Sequence, residues 1–135
     1  MKRFIVAAAA VALASLVTFS AAAVDVFIPN NVVDRNDHNQ QYWCQAEDLK
    51  TSMCSLVSVS DDTNYVLIKD LPGVACEDSS FGVINTVDGV GENIEYDGGQ
   101  CKGDVKARFV RGTANGQLYV QVYNSKKIFG NYPVH

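Results

Sequence analysis

Basic residues are scarce in this sequence. It carries 11 Lys and Arg against 15 Asp and Glu, for a formal net charge of −4. Lys2 and Arg3 both lie in the first 23 residues, so residues 24–135 hold nine basic and fifteen acidic side chains, a net of −6. Because proteins bind nucleic acids mainly by neutralising phosphates with Lys and Arg, this balance argues against general nucleic-acid binding.

Recognisable catalytic and metal-binding motifs are also missing. There is no G-x-S-x-G segment of the kind that places a serine nucleophile on a strained turn. There is no C-x-x-C pair, and neither histidine stands at ligand spacing to a cysteine, which argues against zinc. Residues 34–45 fail the calcium-loop template, because Asn39 stands where Gly is needed and Gln45 where Glu is needed. We therefore predict no metal and no cofactor.

Long apolar runs are confined to the start of the chain. Residues 4–19 are largely apolar, follow a basic pair and lead into three alanines at 21–23. A charged start, an apolar stretch and a small-residue site are the three parts of a secretory signal peptide. The run is also shorter than the roughly 20 residues of a membrane-spanning helix. We expect residues 1–23 to be a signal peptide and 24–135 to form a single secreted or periplasmic domain without stable membrane insertion.

Cysteines are few but even in number. The four are Cys44, Cys54, Cys76 and Cys101. In a short exported chain an even number implies disulfides, and four cysteines allow three connectivities. Local pairing closes the shorter loops and favours Cys44–Cys54 with Cys76–Cys101, although the sequence alone leaves the choice open. Each bridge would stabilise the fold by roughly 2–4 kcal/mol.

Short apolar runs recur along the rest of the chain, separated by Gly, Asn and Asp. They fall at residues 24–28, 55–60, 65–69, 81–85, 92–96, 105–111, 117–123 and 127–129. This spacing is typical of a mainly β protein, an antiparallel β-sandwich or small β-barrel. Residues 65–68 are apolar on both faces, which predicts a central strand. One short helix is expected within residues 40–53, which no Gly or Pro interrupts.

The segment 105–123 carries a hairpin signal. Two alternating runs flank Asn115 and Gly116, which tolerate the positive φ of a tight turn. One face of the predicted hairpin is apolar, with Val105, Ala107, Phe109, Leu118, Val120 and Val122. The other face carries Lys106, Arg108, Tyr119, Gln121 and Tyr123. A two-residue turn and a four-residue loop have the same parity, so these five residues share a face in either register.

The polar face of this hairpin is the candidate binding site. Tyr offers a rigid amphipathic surface, and Lys and Arg contact anions or aromatic rings, a mixture that suits a protein or glycan partner. An ordinary solvated sheet face with Tyr–Arg cross-strand pairs is the alternative. We predict an exported, non-enzymatic binding module. Other hypotheses are an inhibitor of a secreted or periplasmic enzyme, inserting loop 112–116 or 61–64, and a surface component that self-associates through strand edges.

Charge is distributed unevenly along the chain. Residues 24–100 have a net charge of −11, whereas residues 101–135 have a net charge of +5. Attraction between the two parts within one fold would explain this division, and so would a basic face kept for an anionic partner.

The sequence also carries acidic residues that suit an enzymatic function. Paired carboxylates serve glycoside hydrolysis, and a small hydrolase with acidic catalytic residues is a further hypothesis. Its candidates are Glu92, Glu95 and Asp97, with Asp61 and Asp62 in another turn.

The only histidines, His38 and His135, are expected to be exposed and mobile. Trp43, the only tryptophan, follows Tyr42, and this aromatic pair belongs either to the core or to a sugar-stacking platform.

Overall fold

The computed structural model describes residues 14–19, 24–70, 80–96 and 104–135. Its strands are β1 (Ala14–Phe19), β2 (Val24–Pro29), β3 (Val33–Asp34), β4 (Ser55–Val59), β5 (Tyr65–Lys69), β6 (Phe81–Asn85), β7 (Val90–Ile94), β8 (Lys106–Arg111), β9 (Leu118–Tyr123) and β10 (Ile128–Pro133). A single turn of helix, α1 (Ala46–Lys50), precedes β4. The predicted mainly β class is confirmed, and the one short helix expected within residues 40–53 is α1.

The strands of the described residues form three sheets. The largest has the order β3-β7-β6-β5-β4, a second has the order β10-β9-β8, and β1 pairs with β2. All pairings are antiparallel except that of β3 with β7, which is parallel. Strand β5 lies between β4 and β6, and Val66, Leu67 and Ile68 are fully buried. The central strand expected at residues 65–68 is therefore confirmed.

Both faces of the five-stranded sheet are buried. On one face, Val66 and Ile68 pack with Ile84 and with residues of β2 and α1. On the other face, Leu67 packs with residues of β8 and β9, so that the three-stranded sheet covers this side. Alternate side chains of one strand point to opposite faces, and β5 consequently supplies both hydrophobic clusters. The molecule has three layers, with the five-stranded sheet in the middle.

The disulfide Cys44–Cys54 is present, as predicted. Both cysteines are buried, and the bridge joins the segment before α1 to the segment that leads into β4. Cys76 and Cys101 lie outside the described residues. A disulfide is consistent with an oxidising compartment, since such bonds are rare where thiols are kept reduced.

The β8–β9 hairpin has the expected faces but a longer connection. Arg111 is paired with Leu118, so six residues form the connection, where the sequence allowed a two-residue turn or a four-residue loop. Gly116 has a φ of +70°, and the loop is closed by Gly112 N–H, which donates to the Gln117 carbonyl oxygen at 2.8 Å. The pairing of β8 with β9 is shifted by an even number of residues from the pairing that a two-residue turn would give. Each side chain therefore stays on the face predicted for it.

Tyr42 occupies a hollow above strands β6 and β7. Its ring is 2% exposed, and a Cβ added at Gly91 or at Gly82 would overlap the tyrosine. Its hydroxyl lies 3.0 Å from the Glu92 carbonyl oxygen and 2.9 Å from Asn93 Oδ1. Burial raises the pKa of the Tyr42 phenol well above its usual value, so the hydroxyl keeps its one proton and shares it between these two acceptors. The two glycines are therefore required by a close approach of a side chain.

Strand β1 lies within the segment predicted to be a signal peptide. It pairs with β2 from Ala14 opposite Pro29 to Phe19 opposite Val24. Cleavage after Ala23 remains a prediction. In the described part of the chain, no helix has the length and apolar character needed to cross a membrane.

Candidate functional site

The five predicted binding residues lie together on the outward face of the three-stranded sheet. Lys106 is paired with Tyr123, and Arg108 with Gln121. The alternate residues of the same strands point inward to the hydrophobic cluster that the two sheets share. Lys106 and Arg108 are exposed, whereas Tyr119, Gln121 and Tyr123 are half-buried by their neighbours in the sheet. We call this surface the outer face.

Arg108 is held in place by its neighbours on the outer face. Its Nε and Nη2 atoms donate to Gln121 Oε1 at 2.9 and 2.6 Å, and its guanidinium carbon lies 4.3 Å from the centroid of the Tyr123 ring. Gln121 in turn donates through Nε2 to Asn131 Oδ1 on β10, at 3.0 Å. A chain of polar contacts thus crosses all three strands and fixes the direction of the guanidinium group.

The outer face is positively charged. Strands β8, β9 and β10 contain no Asp or Glu, and Lys126 and Lys127 follow in the turn between β9 and β10. Asp104, just before β8, is the nearest carboxylate in sequence, and its contact with Lys106 is 3.5 Å between two exposed side chains. Exposed pairs of this kind stabilise a fold by little, so Lys106 remains available to another anion.

Arg111 joins the two loops proposed for an inhibitor. Its Nη1 donates to the Gly116 carbonyl oxygen at 2.8 Å, within loop 112–116. Its Nη2 donates to Asp61 Oδ1 at 2.7 Å and to Asp62 Oδ2 at 3.2 Å, within loop 61–64. The sequence offered the two loops as separate alternatives, and the structure brings them to the same end of the molecule.

These contacts alter the titration of both aspartates. The hydrogen bond from Arg111 lowers the pKa of Asp61. The pKa of Asp62 is also lowered, chiefly by the hydrogen bond from Ser60 and then by the backbone N–H of Asn64. A lowered pKa in the folded state means that these groups stabilise the fold above their unfolded pKa, and that the stabilisation is lost as the pH falls through the folded pKa.

Replacing Arg111 with Ala should raise the pKa of Asp61 more than that of Asp62. Asp61 loses its main hydrogen-bond donor, whereas Asp62 keeps Ser60 and Asn64. Carboxyl-carbon NMR titration of the wild type and the variant measures both values. Arg111→Lys retains the charge without the forked donor and should give a smaller rise. An unchanged Asp61 pKa in Arg111→Ala would show that the contact is absent in solution.

A concave site lies where β7 meets the segments after β3 and β10. Arg35 Nη1 lies 3.0 Å from Glu92 Oε1 and 2.7 Å from His135 Nδ1, and His135 Nδ1 lies 3.1 Å from Glu92 Oε1. The Glu92 side chain is only 14% exposed. These groups line an open cavity of about 300 Å³ together with Asn36, Glu95 and other residues. We call this surface the cleft.

The sequence did not predict that the residues of the cleft lie together. His135 was expected to be a mobile surface residue, but it contacts both Arg35 and Glu92. Glu92 and Glu95, two candidates of the hydrolase hypothesis, both line the cleft. Asp97, the third member of that set, lies outside the described residues. Asp61 and Asp62 contact Arg111 instead, and they are not among the residues that line the cleft.

The aromatic pair beside the cleft is divided between core and surface. Tyr42 is buried, whereas Trp43 is 37% exposed, with its ring centroid 5.3 Å from that of Tyr42. Trp43 Nε1 donates to Asn93 Oδ1 at 2.6 Å, and Asn93 lines the cleft. Among the described residues, no group of three or more His, Cys, Asp or Glu side chains is arranged to hold a metal ion.

Comparisons with known proteins found no match: no family model, no curated protein and no solved structure resembles this chain. The outer face and the cleft are therefore interpreted from their own geometry and chemistry.

Proposed function

We propose that this protein is an exported, non-enzymatic binding module whose outer face recognises a protein or glycan partner that carries negative charge. The observation that supports this most directly is the fixed position of Arg108 between Gln121 and Tyr123. A donor group that is already oriented loses less conformational entropy on binding than a free side chain does. The disulfide fits an exported protein.

The chemistry of the outer face favours an anionic partner. Arg and Tyr are the residue types that most often contribute large parts of a binding energy. The face is cationic although residues 24–135 have a net charge of −6, so its field differs in sign from that of most of the chain. Local complementarity of this kind raises association rates and selects among partners. An acidic protein surface or a sulfated or carboxylated glycan has the required charge.

The double variant Arg108→Ala, Tyr119→Ala is expected to abolish capture of the partner. Because both residues lie on the sheet surface, the free energy of unfolding should change by less than about 1 kcal/mol. Capture is measured by pull-down from extracellular material with the disulfide-bonded protein as bait. Stability is measured by urea denaturation of the same samples. Raising the salt concentration should weaken capture, because the contacts are largely between charges.

Lys50→Ala provides the matched control. Lys50 is an exposed cation on α1, outside the outer face, so its removal changes the net charge equally and should leave capture intact. Equal loss of capture in both variants would point to net charge alone. A parallel loss of stability and capture in the double variant would indicate that the fold, and not a binding surface, had been damaged.

An inhibitor of a secreted or periplasmic enzyme is the second candidate, favoured by the Arg111 contacts. Loops 61–64 and 112–116 are exposed along most of their length, yet hydrogen bonds within each loop and from Arg111 hold them in place. A preorganised loop inserts into an active site at a low entropic cost. A partner that the double variant still captures, but that is lost when Asn115 is replaced, would favour this candidate over binding at the outer face.

A further inference from the structure

The cleft mixes charges of both signs at short range. Arg35 and His135 contact each other and the same Glu92 carboxylate oxygen, and Glu95 adds a second acid to the lining. An anionic ligand would approach two carboxylates, and a cationic ligand would approach the Arg35 guanidinium group. Like charges at close range disfavour either kind of ligand. The cleft is therefore best matched by a ligand without net charge.

Several polar groups of the cleft have no partner within the described part of the chain. The Glu95 carboxylate and the Asn36 side chain have none, so hydrogen-bond acceptors and donors are both available there. The side-chain amide of Asn93 has hydrogen bonds at only one of its two polar atoms. Its Oδ1 accepts from Tyr42 and Trp43, whereas its Nδ2 has no partner among the same residues. A ligand that offers both donors and acceptors fits these groups, and a hydroxyl group offers both.

The rest of the lining is apolar. Ile94 and Pro133 lie on the same surface as the polar groups, and Tyr132 adds an aromatic ring. The exposed ring of Trp43 is anchored next to Asn93, close to the cleft. A volume of about 300 Å³ is at the small end of the range found for ligand pockets. Aromatic and apolar surfaces beside hydrogen-bonding side chains suit a small ring with one polar edge and one C–H face.

We propose that the cleft is a binding site for a neutral saccharide of one to three rings. Glu95 accepts hydrogen bonds from sugar hydroxyls, the amides of Asn36 and Asn93 donate to sugar oxygens, and Pro133 contacts the C–H face. Arg35 and His135 position the Glu92 carboxylate. This site is separate from the outer face in charge and in composition, so the two proposals can fail independently.

The experiment is an NMR titration of the ¹⁵N-labelled, disulfide-bonded protein with neutral sugars. The probes are the methyl glycosides of glucose, galactose, mannose and N-acetylglucosamine, together with trisaccharides of the same sugars. Saturable shifts are expected for the backbone amides of Ile94, Glu95 and His135 and for the indole N–H of Trp43, with dissociation constants of the order of millimolar for at least one series.

Glu95→Gln should weaken saccharide binding about fivefold, because a hydrogen bond to a charged acceptor is stronger than one to a neutral amide. Glu95 is exposed and has no partner in the described chain, so the variant should fold normally. Glu47→Gln makes the same chemical change on α1, outside the cleft, and should bind as the wild type does.

Three outcomes would overturn the proposal. One is the absence of shifts at about 20 mM sugar, a concentration that reveals millimolar affinity. Another is tighter binding of glucuronate or glucosamine than of glucose, since the cleft would then select a charge. The third is equal weakening by Glu95→Gln and Glu47→Gln, which would place the sugar elsewhere.

Discussion

Replacing Tyr42 with Ala is expected to lower the free energy of unfolding by about 3–5 kcal/mol, the range for removing a large buried aromatic side chain. The ring is 2% exposed and fills the hollow over Gly82 and Gly91, which have no side chains to occupy the space. The substitution would leave a cavity there and would remove the donor to the Glu92 carbonyl oxygen. Guanidinium denaturation followed by circular dichroism measures the loss.

Two further variants separate the contributions of the ring and the hydroxyl. Tyr42→Phe keeps the ring and should cost only about 1–2 kcal/mol, the value of a buried hydrogen bond. Gly91→Ala should destabilise the wild type through overlap with the ring, but should cost much less when Tyr42 is already Ala. This non-additivity measures the contact directly. If the effects of Gly91→Ala and Tyr42→Ala simply add, the ring does not lie on Gly91.

Replacing Cys44 and Cys54 together with Ala should lower the free energy of unfolding by about 3 kcal/mol. The two residues are 10 apart in sequence, and the chain-entropy model assigns roughly this stabilisation to a loop of that length. Both sites are fully buried, so the lost sulfur atoms would add a packing penalty. Urea denaturation of the oxidised wild type and of the variant gives the difference.

The single replacement Met53→Ala is the control for this prediction. Met53 is adjacent to Cys54 in sequence but 60% exposed, so its truncation should change stability by less than about 0.5 kcal/mol. A double cysteine variant as stable as the wild type would mean that α1 and β4 hold their positions without the bridge. The interpretation of the fold as dependent on a disulfide would then be wrong.

The sequence could predict the features that depend on the alternation of side chains between the two faces of a strand. Alternation at 105–123 predicted which side chains of β8 and β9 face outward, and this result does not depend on the register of the pair. The apolar run at 65–68 identified the central strand for a similar reason, because burial on both faces removes alternation. The short loop between Cys44 and Cys54 favoured their pairing but left the other connectivities open.

The cleft could not be predicted, because its parts are distant in sequence. Arg35 is 57 residues from Glu92 and 100 residues from His135, and no local pattern relates them. They meet through the parallel pairing of β3 with β7 and through β10, which extends through Gly130 to Pro133. Both strands have weak signals: β3 has two residues, and Pro133 is tolerated at the outer edge of its sheet.

The outer face and the cleft are neighbours on the surface. Pro133 lines the cleft and is paired with Tyr119 of the outer face. A glycan with an anionic group on one unit and neutral units beside it would be able to contact both surfaces at once. Linked contacts of this kind raise the effective affinity above that of either alone, provided that the spacing fits.

Strand β5 contributes side chains to both hydrophobic clusters. Val66 and Ile68 belong to one cluster, and Leu67 belongs to the other. Removing β5 from the sheet would therefore take side chains out of both clusters at once. The protein should accordingly unfold as one cooperative unit, and the amide protons of β5 and β6 should be the last to exchange with solvent.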